Sequence, residues 1–262
     1  MVNYKKYNTT MHRFVLFLTM ATLVACSSNK LRNTQIAGKQ LPVTIEYADV
    51  AEIEQFVKPY REHIDKDLDS VIAYCPETLD KSKPIKHWQT TIGNLMADVT
   101  FDKADHLLMQ RERRHVDICL MNHGGIRSII AKGPVTARTA FEIMPFENAV
   151  IVIALKGEQL GEIAQYLAKE HKPHPLAGMR LVLHKDGNVK EITVQGKPVQ
   201  ANKIYNVATS DYLANGGDNM AFFAKGLARY DLDYKLRDLF IDYFKEVDTL
   251  PVIRTERIIQ EK

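Results

Sequence analysis

Apolar positions recur at two spacings along the chain, and the longer spacing predicts the helices. Between residues 50 and 73 they fall at every third or fourth position, as in Val57, Tyr60 and Ile64, which predicts one long amphipathic helix. The same spacing predicts further helices over residues 93–111, 137–143, 158–170 and 234–247.

Shorter apolar runs predict strands between these helices. They are rich in valine and isoleucine and are bounded by glycine, proline or charged residues. The predicted strands cover residues 43–47, 116–121, 149–155, 179–183, 189–194, 204–209 and 252–259. Because strands and helices alternate irregularly, the pattern predicts a mixed α/β domain, with a partly antiparallel sheet covered by helices.

The first 25 residues have the pattern of an export signal. A basic head precedes the apolar run from Phe14 to Leu23, which is shorter than the roughly 20 residues of a membrane-spanning helix. The run leads into Leu23-Val24-Ala25-Cys26, which resembles a bacterial lipobox, with the thiol of Cys26 as the lipidation site. The predicted organisation is a signal peptide over 1–25, a lipidated cysteine and linker over 26–42, and one domain over 43–262.

Composition and charge narrow the possible partners. The chain is 45% hydrophobic and 26% charged, as in globular proteins, and its net charge is +3. Basic residues alternate with acidic ones and form no stripe, so we expect no nucleic acid polymer as a partner. Ser27, not aspartate, follows Cys26, which predicts anchoring in the outer membrane, facing the periplasm or the cell surface. Cys75 and Cys119 lie in apolar runs typical of buried thiols, so we expect them unpaired, although the periplasm permits a disulfide.

Three loop segments carry candidate binding chemistry. In the first, a glycine pair lets the backbone approach a ligand, and Arg127 offers a planar fork suited to phosphate. The second and third place Phe146 and Tyr212 on loops, and the third ends in a glycine pair followed by Asp218. Two rings can stack on a base from both faces, and a carboxylate can accept hydrogen bonds from ribose hydroxyls. Taken singly, either ring is more often a core residue.

Five short motifs occur in order and together resemble a known family. They are Gly93-Asn94-Leu95-Met96-Ala97-Asp98, Asn122-x-Gly-Gly-Ile-Arg127, Pro145-Phe146-x-Asn148, Leu155-Lys156-Gly157-x-x-Leu160 and Tyr212-Leu213-Ala214-Asn215-Gly216-Gly217-Asp218. The set is similar to the C-terminal, substrate-binding domain of the bacterial and animal 5′-nucleotidase family, over about residues 43–258.

The resemblance implies a role for each matching residue. Asn122 and Arg127 would bind the phosphate and ribose side of a nucleotide or nucleoside. Phe146 and Tyr212 would stack on the base, and Asp218 would hold the ribose. Tyr212 stands where the family usually has phenylalanine. One further candidate for substrate binding is Lys86. It stands eight residues before Asn94, where some members of the family carry a phosphate-binding arginine. Lysine keeps the positive charge but lacks the planar guanidinium that binds phosphate with two hydrogen bonds.

The metal-binding motifs of the family's catalytic half do not occur as a set in this sequence. That half holds two metal ions that clamp the phosphate and activate water. His171-x-x-His174 is the nearest candidate, and the prolines around it favour a surface loop. We therefore predict no metal or other cofactor in this chain and divalent metals on a separate metallophosphoesterase subunit. Two functions stay open: the substrate-recognition component of a periplasmic 5′-nucleotidase-type phosphoester hydrolase in nucleotide catabolism, or a non-enzymatic nucleotide- or nucleoside-binding lipoprotein.

Overall fold

The structure, a computed structural model, describes residues 4–24, 35, 37–42, 44 and 48–262. The chain divides into two units, Met1–Ile53 and Glu54–Lys262. The first unit contains helix α1 (Tyr4–Val24), in which residues 9–20 are exposed. Within the described residues, no helix combines the length and the apolar content needed to cross a bilayer. Cys26 and all but one residue of the predicted strand 43–47 lie outside the described residues.

The remaining secondary structure follows the predicted order closely. The further helices are α2 (Ala51–Leu68), α3 (Thr91–Glu112), α4 (Ala137–Ile143), α5 (Gly157–Glu170), α6 (Asp211–Ala214) and α7 (Leu236–Glu246). The strands are β1 (Val71–Cys75), β2 (Ile118–Leu120), β3 (Gly133–Thr136), β4 (Ala149–Lys156), β5 (Leu176–Ala177), β6 (Met179–Leu183), β7 (Val189–Val194), β8 (Lys197–Pro198), β9 (Ile204–Ser210), β10 (Ala228–Lys235) and β11 (Ile258–Gln260). Short 3-10 turns cover His123–Gly125, Gly217–Asn219 and Ala221–Lys225.

The strands form a mixed set of sheets. A five-stranded sheet has the order β10-β4-β9-β2-β5, in which β9 is antiparallel to β4 and parallel to β2. A four-stranded sheet has the order β11-β6-β7-β8, with β11 parallel to β6, and β1 pairs with β3 in an antiparallel ladder. The predicted fold class, mixed α/β with a partly antiparallel sheet, is confirmed.

Both faces of the five-stranded sheet are buried. Along β4, Val150 and Val152 join a buried cluster that also holds residues of α3 and α7. Ile151 and Ile153 point the other way, into a second cluster with residues of α5. Because side chains alternate between the faces of a strand, a strand covered on both faces reads as a continuous apolar run. This accounts for the unbroken hydrophobic segment between residues 149 and 155.

Several elements differ from the prediction. The first long helix ends at Leu68, not at residue 73, because the segment Val71–Cys75 pairs with β3 as a strand. Its β-branched residues suit the extended conformation better than a helix. Strands β3, β5, β8 and β10 were not predicted; β10 is an edge strand that pairs only with β4 in its sheet and carries many exposed charged side chains. The strand predicted over residues 252–259 is wrong for residues 252–257, because only its last two residues belong to β11.

The two cysteines among the described residues are free thiols. Cys75 and Cys119 are both fully buried and unpaired, which confirms the sequence-based prediction. Burial raises the pKa of both thiols above the ordinary value, so they stay protonated and behave as small apolar groups.

Candidate functional site

Three loops meet at one end of the five-stranded sheet. The parallel strands β2 and β9 finish at this end, and β4, antiparallel to β9, starts there. The chain leaves β2 into Asn122 and the turn His123–Gly125, and it leaves β9 into α6 and the turn Gly217–Asn219. Phe146 and Asn148 come just before β4. Topology therefore brings together segments that are far apart in the sequence.

A cavity of about 320 Å³ lies between these loops, at the lower end of the roughly 300–1,000 Å³ of small-molecule sites. Its lining residues are Asn122, Gly124, Gly125, Arg127, Phe146, Asn148, Tyr212 and Asp218. Apart from Lys86, every substrate-binding residue predicted from the sequence is in this set. Phe146 is 40% exposed and Tyr212 46% exposed, so neither ring is a core residue.

Asp218 is the most strongly held side chain in the cavity. Asn122 donates from Nδ2 to one carboxylate oxygen at 2.7 Å, and the Tyr212 hydroxyl donates to the other at 3.0 Å. The Tyr212 hydroxyl also accepts from the backbone N–H of Asp218 at 3.3 Å, and Tyr166 donates to the backbone carbonyl of Asp218 at 2.9 Å. With φ of 51°, Asp218 is in the left-handed region, which these contacts stabilise. The carboxylate is therefore held in place before any ligand arrives.

Arg127 and Phe146 form a basic corner of the cavity. The Arg127 guanidinium lies 5.7 Å from the centre of the Phe146 ring and donates to the carbonyl of Gly124 at 3.3 Å. Lys81 lies behind them and donates from Nζ to the carbonyl of Ile126. Burial and, next, the charge of Arg127 lower the pKa of Lys81. Two cations share this corner, which favours an anionic group.

Two glycines leave room for the side chains of the site. A Cβ atom on Gly125 would lie 2.7 Å from Oδ1 of Asn122. A Cβ atom on Gly217 would lie 2.5 Å from ring atoms of Tyr212 and 2.6 Å from its backbone carbonyl oxygen. Gly125 and Gly217 thus allow close packing around Asn122 and Tyr212.

Lys86, which was predicted from the sequence to bind substrate, does not line this cavity. Lys86 lies in a separate groove and pairs with Glu256, with Nζ 2.5 Å from the carboxylate. The neighbouring Trp88 is buried, and its ring centre lies 5.2 Å from that of His171. The basic residue near Arg127 is Lys81, which the sequence analysis missed because it stands in a charged segment that resembles a solvated loop. Asn148 was also given no role, although it belongs to one of the motifs.

His174, expected on a surface loop, is buried at 2% exposure. Its Nδ1 accepts a hydrogen bond from the backbone N–H of His123 at 3.3 Å, and its ring centre lies 5.6 Å from that of Tyr166. Burial and, to a lesser extent, the neighbouring His123 lower the pKa of His174 to about 4. Burial also lowers the pKa of His123, followed by the charge of Lys81. The prolines beside His174 do not prevent its burial because its polar Nδ1 finds a backbone donor.

The described part of the chain offers no metal centre. Among these residues, no group of three or more histidine, cysteine, aspartate or glutamate side chains is placed to hold a metal ion. No metal-dependent step is assigned to them.

Comparison with known proteins places this fold and cavity in one family. The family model described as "5′-nucleotidase, C-terminal domain" matches residues 71–225, more than half of the chain. The trifunctional nucleotide phosphoesterase protein YfkN of Bacillus subtilis is 25% identical over 236 residues, which cover 84% of this chain and 16% of that protein. Protein UshA of Yersinia enterocolitica is 26% identical over 195 residues, covering 72% of this chain and 33% of that protein.

A solved structure shows the same fold. The crystal structure of a 5′-nucleotidase precursor from Thermus thermophilus matches with a TM-score of 0.65 and 24% identity, covering 79% of this chain and 42% of that one. The chain thus spans less than half the length of each of these three proteins. The family match over residues 71–225 includes all three loops of the cavity. The chain belongs to the family of 5′-nucleotidase C-terminal domains.

Proposed function

We propose that this chain is the nucleoside- and nucleotide-recognition component of a 5′-nucleotidase-type phosphoester hydrolase of the cell envelope. One observation carries the proposal: two half-exposed aromatic rings, a guanidinium and an ordered carboxylate line a single cavity. Half-exposed aromatic rings leave apolar surface in water, which a flat ligand would cover. The site therefore has the chemistry to bind both a base and an anionic group.

Each contact of the proposed complex follows from the chemistry of the lining groups. A base between Phe146 and Tyr212 would gain about 1–3 kcal/mol from stacking. The Asp218 carboxylate, held by Asn122 and Tyr212, keeps lone pairs that can accept from ribose hydroxyls. Arg127 would take the phosphate, with the charge of Lys81 behind it.

Hydrolysis requires a second component in this proposal. The relatives that match are much longer than the matched part, and the family is named for a C-terminal domain. We therefore assign the divalent metals and the attack on the phosphate to a separate metallophosphoesterase subunit. Cys26, outside the described residues, would carry the lipid that anchors the chain to the outer membrane, facing the periplasm or the cell surface.

Calorimetric titration of the full chain, purified in detergent, tests the proposal. Adenosine, AMP, UMP and UDP-glucose are the ligands, with ribose 5-phosphate as the control that lacks a base. We expect the nucleosides and nucleotides to bind and ribose 5-phosphate to bind much more weakly, because it cannot stack. Absence of binding by every base-containing ligand would refute recognition.

A separate assay tests the division of labour. The full chain with Mn²⁺ or Zn²⁺ should release no phosphate from AMP above the blank. Turnover that disappears on addition of EDTA would refute the assignment of catalysis to a separate subunit. If nucleotides bind but no metallophosphoesterase raises phosphate release when mixed with this chain, the protein is a nucleotide-binding lipoprotein without a catalytic role.

A further inference from the structure

His174 is buried next to the turn His123–Gly125 and next to Tyr166, and it does not line the cavity. It stands in the connection between α5 and β5, and 2% of its surface is exposed. On one side, its Nδ1 accepts from the backbone N–H of His123, at the first residue of the turn that follows Asn122. That turn places Gly124 and Gly125 in the lining of the cavity.

On the other side, the His174 ring packs near Tyr166. The ring centres are 5.6 Å apart, and the Tyr166 hydroxyl donates to the backbone carbonyl of Asp218 at 2.9 Å. Tyr166 also packs edge-on against Phe222, with ring centres 5.7 Å apart, so it is fixed from two directions. His174 thus contacts the turn that carries Gly124 and Gly125. It also contacts Tyr166, which supports the loop that carries Asp218.

The protonation of His174 suits an acceptor role. A neutral imidazole carries its proton on one nitrogen, and Nδ1 must be unprotonated to accept from the His123 N–H. Burial keeps the ring neutral at pH 7, with the pKa lowered to about 4. The proton is then on Nε2, a buried atom without a partner among the described residues. A buried donor without a partner lowers the stability of the fold. If packing alone mattered at position 174, a phenylalanine ring would therefore be more favourable than histidine.

We propose that His174 is a positioning residue for the nucleotide site: its Nδ1 fixes the turn His123–Gly125, and its ring supports Tyr166, which holds the backbone at Asp218. The inference rests on the proposed function, because the site that His174 positions is the proposed nucleotide site. It makes His174 a determinant of affinity although no ligand atom would touch it.

Two variants separate the acceptor from the packing. His174→Phe keeps a flat ring of similar size and removes the acceptor. His174→Asn keeps an oxygen at the position of Nδ1 and removes most of the ring. We expect His174→Phe to weaken AMP binding about tenfold, the equivalent of one lost hydrogen bond. Its loss of thermal stability should be small, because removal of the unpaired Nε2 donor offsets the loss of the acceptor for the His123 N–H. His174→Asn should bind AMP within about threefold of the wild type, although it loses more packing and is less stable.

A matched control removes packing alone from the same region. Leu167→Ala opens a space in the buried face of α5, and Leu167 does not line the ligand cavity. It should lower the melting temperature and leave the dissociation constant for AMP unchanged. Equal loss of affinity in Leu167→Ala and His174→Phe would refute the proposal, because general destabilisation would then explain both.

Nuclear magnetic resonance of the ligand-free chain gives a readout that needs no nucleotide. The amide of His123 should show a hydrogen-bonded shift in the wild type and in His174→Asn, and lose it in His174→Phe. Unchanged His123 and Asp218 amide shifts in His174→Phe would refute the proposal. If the wild type binds no nucleotide while these shifts change as expected, the proposed function fails and the positioning of the loops by His174 stands.

Discussion

Replacing Phe146 by alanine distinguishes a stacking surface from a core residue. Deleting a fully buried phenylalanine costs about 3–5 kcal/mol of stability. Phe146 is 40% exposed and borders an open cavity, so its deletion should cost only about 1–2 kcal/mol, from the apolar area it still buries. Loss of one face of the stack should cost about 1–3 kcal/mol of binding, which raises the dissociation constant about 5- to 150-fold. Affinity should therefore fall measurably although the protein keeps most of its folding stability.

The chain contains a closely matched control for this variant. Phe141 is 38% exposed, and the Arg237 guanidinium lies 4.2 Å from its ring centre, whereas Arg127 lies 5.7 Å from Phe146. Phe141 does not line the cavity. Phe141→Ala should therefore lose a similar amount of stability and no nucleotide affinity.

Calorimetric titration with AMP and urea denaturation of the three proteins measure both quantities. Two outcomes would refute the reasoning. If Phe146→Ala bound AMP like the wild type, the ring would not stack on the base. If Phe141→Ala lost as much affinity as Phe146→Ala, the loss would come from a general effect on the fold.

Three further predictions concern residues outside the aromatic pair. Lys86→Ala should leave AMP affinity within about twofold and cost at most about 1 kcal/mol of stability, because Lys86 forms an exposed pair with Glu256. A tenfold loss of AMP affinity in calorimetric titration would show that Lys86 takes part in binding. The unfolding free energy should fall by up to about 3 kcal/mol as the pH drops from 6.5 towards 4, because unfolded His174 takes up a proton that the buried ring, with its pKa of about 4, resists. Urea denaturation across this pH range should show a much smaller fall in the unfolding free energy for His174→Phe. The same fall in the variant as in the wild type would show that His174 is not its cause. Cys26→Ala should release the chain from membranes, and unchanged fractionation with retained palmitate label would exclude Cys26 as the anchor.

Local patterns in the sequence predicted most of the fold. Helix α4 and the strands β6 and β7 have the predicted bounds because their apolar spacing and their flanking turns agree. Strand β10 was not predicted, although Tyr230, Leu232 and Tyr234 alternate with charged residues, which is the pattern of an edge strand with one wet face. Bounds fail where a helix-like spacing runs into a segment that pairs with a distant strand, as at Val71–Cys75.

The site could be predicted as a set of residues but not as a network. Motif chemistry selected Asn122 and Asp218, yet their hydrogen bond joins positions 96 residues apart and depends on the order of β2 and β9. Lys81 lies near Arg127 because its segment is tied to the loop after Arg127 by paired backbone hydrogen bonds between Leu79 and Ile130. No spacing in the sequence encodes such a contact.

The contact between Trp88 and His171 gives the chain an intrinsic optical probe. Trp88 is the only tryptophan in the sequence, and it is buried against a residue three positions before His174. Any displacement of the segment 171–174 would expose the indole to water and move its emission to longer wavelength. Since Trp88 does not line the nucleotide cavity, the unlabelled protein can report in real time, by stopped-flow fluorescence, how fast that segment responds to a ligand.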